Sequence, residues 1–435
     1  MAGAGLAAVT SAQVPGERPR QDTSVEVLNP RDRVPVSLII DDSTCLVNLN
    51  RFAVPQFRAA YGGSRYHHDW RSWPHEIPDS FVRKFGEWCA ENGVKGKYSV
   101  VPYPACVGRL DREVPGWTRR EILDSIKLVQ DLMMPDWDIH PEMVTHTRVI
   151  DLKTGHPYPE ISLNYIENSR WSDNRSVDEL ASYLAYALRI LKNVDLPCEG
   201  VTTPGGFGTR ALPQLSQATL ESCRDVFRAE IPHYFRHLYS AGDESVAPRV
   251  EYAAGLDSDD PRCAVSIIGC TGDWFGGWDC SHRGRLDDLI SPDLSTGRMV
   301  DVINRGEPAC MVCHWTGIYF HGQEHGFRVF QDVVGRLHQR FDNLSWMKLS
   351  EISRYWAAKE LTRIERSGDE IKLFAPFACP AFTLRLSGGG EPRFNSKPLE
   401  RRGGPRDLAA GTWTGSNDRV VCFDLPKGES VLTLG

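Results

Sequence analysis

From residue 34 onward, short apolar runs alternate with longer amphipathic stretches. VSLII (36–40) is a continuous apolar run, as in a strand buried on both faces of a parallel sheet. PDSFVRKFGEWCAENGV (78–94) puts Phe81, Phe85, Trp88 and Cys89 on one stripe and stops at Gly93, which predicts a helix. KGKYSVVPY (95–103) predicts the next strand. Thr118 with Glu121 three residues later forms a capping box that opens a helix over 118–134. WDIHPEMVTHT (137–147) is strand-like with a polar end, and SVDELASYLAYALRILKNV (176–194) is a strongly amphipathic helix. CEGVTTPGGFG (198–208) is a strand that runs into a Gly/Pro turn. CAVSIIGC (263–270) and ACMVCHW (309–315) are apolar runs, and GFRVFQDVVGRLHQRF (326–341) is a further helix.

Strand–helix alternation of this length implies an α/β fold with a parallel sheet and right-handed crossovers, open or closed into a barrel. The stretch 209–300 is longer than that pattern needs. From about residue 361 the period changes to two and helical stretches vanish, which predicts a small antiparallel β domain. The expected organisation is a tail and linker over 1–33, an α/β unit over 34–356 and a β-sandwich-like domain over 357–435. In parallel α/β folds the chemistry sits at the carboxyl ends of the strands. Here several strands end in chemically able residues: Asp41 and Asp42, His146, Thr203-Pro204, and His314. Four such ends in one chain point to a single functional rim.

Composition sharpens this picture. With 41% hydrophobic residues among 435, the chain can bury a sizeable core. A net charge of -7 gives no basic face and argues against a nucleic-acid partner. No run of about 18 apolar residues exists, so no transmembrane helix is expected. The 12 Trp matter because several cluster with Gly and Asp, in HHDWRSWPHE (67–76) and GDWFGGWDC (272–280). Exposed aromatic faces suit the flat C–H surfaces of sugar rings, whereas buried ones only fill the core. The second cluster follows a strand, so Asp273, Trp274 and Trp278 are expected on the rim, as is Trp315 directly after His314. The 12 Cys are scattered, many inside apolar runs, and read as small core hydrophobes. Cys310 and Cys313 precede a His, as in a haem-attachment signature, but lie on a predicted strand with opposite facing. MAGAGLAAVTSAQVPGERPRQ at the N-terminus is similar to the later part of a secretory signal with a small-residue site near Ala12, so an exported protein is expected.

The order of these segments resembles the polysaccharide deacetylase (NodB-homology) superfamily. SLIIDDS (37–43) is similar to its first motif, a strand ending in Asp-Asp. HPEMVTHT (140–147) resembles its His-containing second motif, with Glu142, His146 and Thr147 in register. TTPGGFG (202–208) resembles its Arg-x-Pro-Tyr-Gly motif, with Thr202 in place of the arginine. CMVCHWTG (310–317) followed by WMKLSEI (346–352) resembles the terminal Leu-His motif and closing strand–helix. The resemblance implies a distorted (β/α)7-type barrel and removal of acetyl groups from an acetylated carbohydrate with a divalent metal, zinc. It implies Asp41 as general base, His314 as general acid, and Asp42 and His146 as metal ligands. The family's next histidine would fall at position 150, which is Ile here. His156, His75 and Asp151 are then the alternatives for a third ligand, with His156 preferred. Thr203, Pro204, Trp274, Trp278, Trp315 and Asp273 are expected to line the substrate site. Two other functions fit the same residues. One is a glycoside hydrolase pairing Asp41 or Asp42 with Asp273 or Asp279. The other is a metal-free carbohydrate-binding protein.

Overall fold

The computed structural model describes residues 16–62 and 66–435. The small-residue stretch expected to belong to an export signal lies outside them. The long apolar runs become strands buried along their whole length: Val34–Asp41, Gly96–Ser99 and Ala309–His314 carry almost no exposed residue. The amphipathic stretches become helices at Asp79–Glu91, Arg119–Leu128, Val177–Lys192 and His325–Arg340. The capping box of Thr118 and Glu121 forms as expected, and Ser176 with Glu179 makes a second.

The expected ring of strands is built as two sheets instead of one closed barrel. In the first, Val34–Asp41 lies between Ala309–His314 and Gly96–Ser99, with Trp137–His140 outside the latter and all pairs parallel. Leu344–Trp346 also pairs with the lower half of Val34–Asp41. In the second, Gly200–Thr202, His233–Leu238 and Arg262–Gly269 run parallel, and Arg249–Ala254 is antiparallel at the edge. Local chemistry explains the two seams. Next to His140 the chain enters Pro141, which has no N–H; a single bridge joins Glu142 to Thr202, with Thr202 N–H on Pro141 O at 3.0 Å. At the other seam Cys270 N–H reaches Cys310 O at 2.7 Å, and the Thr271 hydroxyl, instead of a backbone carbonyl, accepts from Val312 N–H. The surplus stretch after residue 209 is used for a helix, Leu212–Phe227, and the two strands that follow it.

The C-terminal region forms two five-stranded, mostly antiparallel sheets. Val25–Val27, in the segment expected to be linker, pairs with Leu384–Leu386 at the edge of one of them. One apolar core runs from these sheets through Leu349, Ile352 and Tyr355 of the helix Leu349–Leu361 to Val265 and Ile267 under the second parallel sheet. Tyr355 ties the parts together: its hydroxyl donates to Leu28 O at 2.9 Å and accepts from Thr383 N–H. All twelve cysteines are unpaired, and all but Cys106 and Cys280 are buried. Cys310 and Cys313 point into different cores, as strand geometry requires. Among the described residues no helix is long and apolar enough to cross a membrane.

Candidate active site

Register brings the first two chemical groups together. In the parallel pair of Val34–Asp41 with Ala309–His314, Asp41 and His314 are direct cross-strand partners at the carboxyl ends. The chain leaves the strand at Asp42 with a φ of 61°, a left-handed conformation that Asp tolerates better than most residues. That turn sends the two neighbouring carboxylates to different partners.

Asp41 meets a lysine. Lys97 is fully buried in the adjacent strand, and its ammonium donates to Asp41 Oδ1, to Ile40 O at 2.8 Å and to Ser99 Oγ at 2.8 Å. All three donors of the ammonium are therefore used. Burial pushes the Asp41 carboxyl up to about 6 against the pull of Lys97.

Asp42 meets a loop. Residues 141–147 follow the strand Trp137–His140, and positive φ at Met143 (54°) and His146 (64°) folds them back. His146 Nε2 comes to 2.8 Å from Asp42 Oδ1 and 3.2 Å from Glu142 Oε1, while Asp42 N–H donates to Glu142 Oε2 at 2.8 Å. Burial would raise both carboxyls, but the charge on His146 holds them below their usual range. Burial likewise opposes the imidazolium, yet the two carboxylates hold its pKa well above the ordinary histidine value. The loop is tied from behind. Thr145 N–H donates to both oxygens of buried Glu167, and the Tyr183 hydroxyl donates to Glu167 Oε1 while accepting from Ile150 N–H at 3.1 Å. Tyr183→Phe leaves Glu167 and Ile150 N–H short of partners and is expected to cost about 1–3 kcal/mol. Urea unfolding checks this, and an unchanged midpoint would remove Glu167 as the anchor of the loop.

Asp42, Glu142 and His146 offer one ligand atom each, all within 4.8 Å of one another and all buried. Asp42 Oδ2 is buried without a hydrogen-bond donor, and Oδ1 faces the His146 imidazole at 2.8 Å. Buried anionic oxygens without donors are costly unless a cation faces them. Two carboxylates and an imidazole make a donor set for a divalent ion, so these residues fit a metal. Glu142, and not His156, is the third member of this buried group. His156 is exposed in a two-residue hairpin paired with Asp151, and His75 is exposed as well, so all three alternatives lie outside the buried group. Two sequence signals pointed to Glu142: it precedes His146 by four residues and lies in the same polar strand end.

His314 is held by Asp273, whose Oδ2 is 2.6 Å from its Nδ1. Burial opposes the imidazolium, but Asp273, Asp42 and Asp41 together bring the pKa up to about 10. Asp273, expected to touch substrate, thus positions a histidine. The Trp expectations divide. Trp315 is packed in the core against Phe81, Phe85 and Tyr98 and offers no face to a sugar. Trp274 is buried beside Phe275. Trp278 is half-buried and belongs to an aromatic wall: its ring is 6.1 Å from Phe57, which is 6.2 Å from His146, and Tyr66 and His68 flank it. Thr203 is buried with its hydroxyl on Phe235 O at 3.3 Å, and Pro204 continues the same strand end into the turn.

No protein-family profile and no curated protein sequence matches the chain. Among solved structures it is similar to a probable polysaccharide deacetylase from Pseudomonas aeruginosa PAO1, at 8% identity and a TM-score of 0.39, over 75% of this chain and 91% of that one. It is also similar to a putative glycoside hydrolase/deacetylase from Parabacteroides distasonis, at 12% identity and a TM-score of 0.38, over 83% and 82%. Both are distant likenesses of overall architecture.

Proposed function

We propose that the chain is a metal-dependent hydrolase that removes acetyl groups from an acetylated carbohydrate, with its two parallel sheets forming a distorted (β/α)7-type barrel. One observation carries this reading: an acid–lysine pair, a buried Asp-Glu-His group and an Asp-His pair meet on one rim. A divalent cation held by Asp42, Glu142 and His146, with zinc the proposed ion, would polarise the acyl carbonyl and activate water.

The protein's own residues supply the proton transfers and the positioning. Asp41 takes the proton of the attacking water; a carboxyl raised toward 6 is a stronger base than a free one and remains ionised at pH 7. Lys97 fixes Oδ1 of Asp41, so that Oδ2 is the oxygen left to accept. His314, kept protonated by Asp273, gives its proton to the departing amine or hydroxyl. Tyr66 and Trp278, backed by buried Phe57 beside His146, would hold the sugar ring. Trp278→Ala is then expected to raise KM about tenfold with kcat nearly kept, the mark of lost binding outside the reacting bonds. Steady-state kinetics on an acetylated oligosaccharide reads this, and a fall confined to kcat would remove Trp278 from the binding wall.

The glycosidase alternative has weaker support, because both of its extra carboxylates are engaged by histidines: Asp273 by His314, and Asp279 by His68 at 2.8 Å. The deciding experiment is acetate release from acetylated chito- and xylo-oligosaccharides, before and after chelation and zinc reloading. Release that stops on chelation and returns with zinc is expected. Release of reducing ends, unaffected by chelator, would overturn the proposal.

A further inference from the structure

A second cluster of ligating side chains lies away from the rim, at the seam where the two parallel sheets fail to join. His140 ends the strand Trp137–His140 of the first sheet, and His233 begins the strand His233–Leu238 of the second. Both imidazoles are fully buried, and their Nε2 atoms face each other at 2.9 Å. Asp138, two residues before His140, brings a carboxylate so that one ligand atom from each of the three lies within 4.8 Å of the others. Its two oxygens accept from Ser350 N–H at 2.6 Å and Ser350 Oγ at 2.8 Å, which fixes its direction.

We propose that Asp138, His140 and His233 bind a divalent cation of their own, zinc by the chemistry of the donor set, as a staple between the two sheets. Two imidazoles and a carboxylate are a set that zinc takes in tetrahedral sites, with solvent able to supply a fourth ligand. Nitrogens bound to one tetrahedral zinc at ordinary bond lengths stand about 3.3 Å apart, so the rings need to part by only a few tenths of an ångström.

Three further observations support a built site. His140 Nδ1 lies 3.3 Å from the Thr202 hydroxyl, and His233 faces the Ile231 backbone carbonyl, so each ring has a polar group on the side away from the shared Nε2 contact. A glycine, Gly200, stands where the rings meet: a Cβ there would come within 2.6 Å of both His140 Nε2 and His233 O and within 2.7 Å of His233 Cδ2. The chain keeps this space open at the first residue of the strand Gly200–Thr202. A cavity also lies beside the cluster. A cavity of about 480 Å³ between the parallel sheets and the C-terminal sheets is lined by Glu199 and Ser350. Glu199 O accepts from His233 N–H, and Ser350 is the residue bonded to Asp138. The staple has a purpose, since backbone pairing across this seam is reduced to the single Glu142–Thr202 bridge and the Thr202–Pro141 bond.

The test is zinc stoichiometry by elemental analysis after stripping and reloading with Zn²⁺ alone, on three proteins. Wild type is expected to hold about two ions and the rim variant Asp42→Asn/His146→Asn about one. Adding Gly200→Ala to the rim variant, which removes no ligand but fills the space between the rings, is expected to leave none. A rim variant with no zinc while wild type holds one overturns this site and leaves the rim reading intact. A rim variant that still holds the single ion of wild type supports the seam site and overturns the rim reading. Crystals soaked in Zn²⁺ give a check independent of variant folding. An anomalous peak between the two Nε2 atoms supports the site; two imidazoles still in direct contact there overturn it.

Discussion

Asp42→Asn is expected to lower acetate release by at least about 10³-fold and to remove one zinc ion per chain, with the fold retained. The size follows from the position. Both oxygens of Asp42 are buried; Oδ1 faces the His146 imidazole at 2.8 Å, and Oδ2 has no donor. Its neutral analogue offers a weak ligand and leaves Glu142 and His146 as an ordinary ion pair at 3.2 Å. Asparagine is the right replacement because residue 42 has a φ of 61°, which Asn and Asp adopt with little strain and which alanine would resist. Loss of activity in the Asn variant is therefore a statement about the carboxylate and not about the turn. Activity within tenfold of wild type, measured in zinc-reloaded protein, would sink the metal-dependent reading. Turnover would then have to rest on Asp41 and His314 alone.

How far this site could be read from the chain depends on which residues advertise themselves. Asp41, Asp42, His146 and His314 stand where continuous apolar runs stop, and a polar residue at the end of a buried strand is visible in any one-dimensional pattern. The structure puts these four on one rim because parallel strands with right-handed crossovers have all their carboxyl ends on one side. Lys97 carries no such mark. A lysine in the short strand Gly96–Ser99 reads as a solvent-facing residue, and only the enclosing neighbour strand shows it to be fully buried. Glu142 was in plain sight, four residues before His146 and so on its face of any regular strand or helix, but residues 141–147 are a loop bent by two left-handed residues, whose contacts no regular period encodes. Trp315 misled in the opposite way. It follows the rim histidine directly, yet it opens a short helix and turns its ring into the core. The closed ring of strands was expected from alternation alone, but alternation carries no information about Pro141 or Thr271, which interrupt backbone pairing at the seams. The strand Val25–Val27 is three residues long and makes sense only against Cys379–Ser387, more than three hundred residues away.

Asp41→Asn is expected to lower kcat about 10²–10⁴-fold while zinc content stays at the wild-type value, because Asp41 lies outside the ligand group. This combination separates the base from the ligands: its neighbour Asp42 should lose both metal and turnover, Asp41 turnover only. Lys97 deepens the test. Lys97→Met keeps the length and apolar stem of the side chain but takes away the ammonium facing Asp41, along with the bonds to Ile40 O and Ser99 Oγ. A buried carboxylate left without its cation costs about 3–5 kcal/mol, so the single variant should unfold at clearly lower urea. Asp41→Asn/Lys97→Met removes both charges and is expected to recover part of that loss, because a neutral amide beside a thioether carries no uncompensated charge. A lysine that merely filled space would give additive stability changes. A lysine that holds the base gives strong coupling in stability and in kcat alike, since once Asp41 is gone there is no base left to position and losing Lys97 slows turnover no further. Full additivity in stability, or an Asp41→Asn enzyme within tenfold of wild type, would remove Asp41 and Lys97 from the mechanism together.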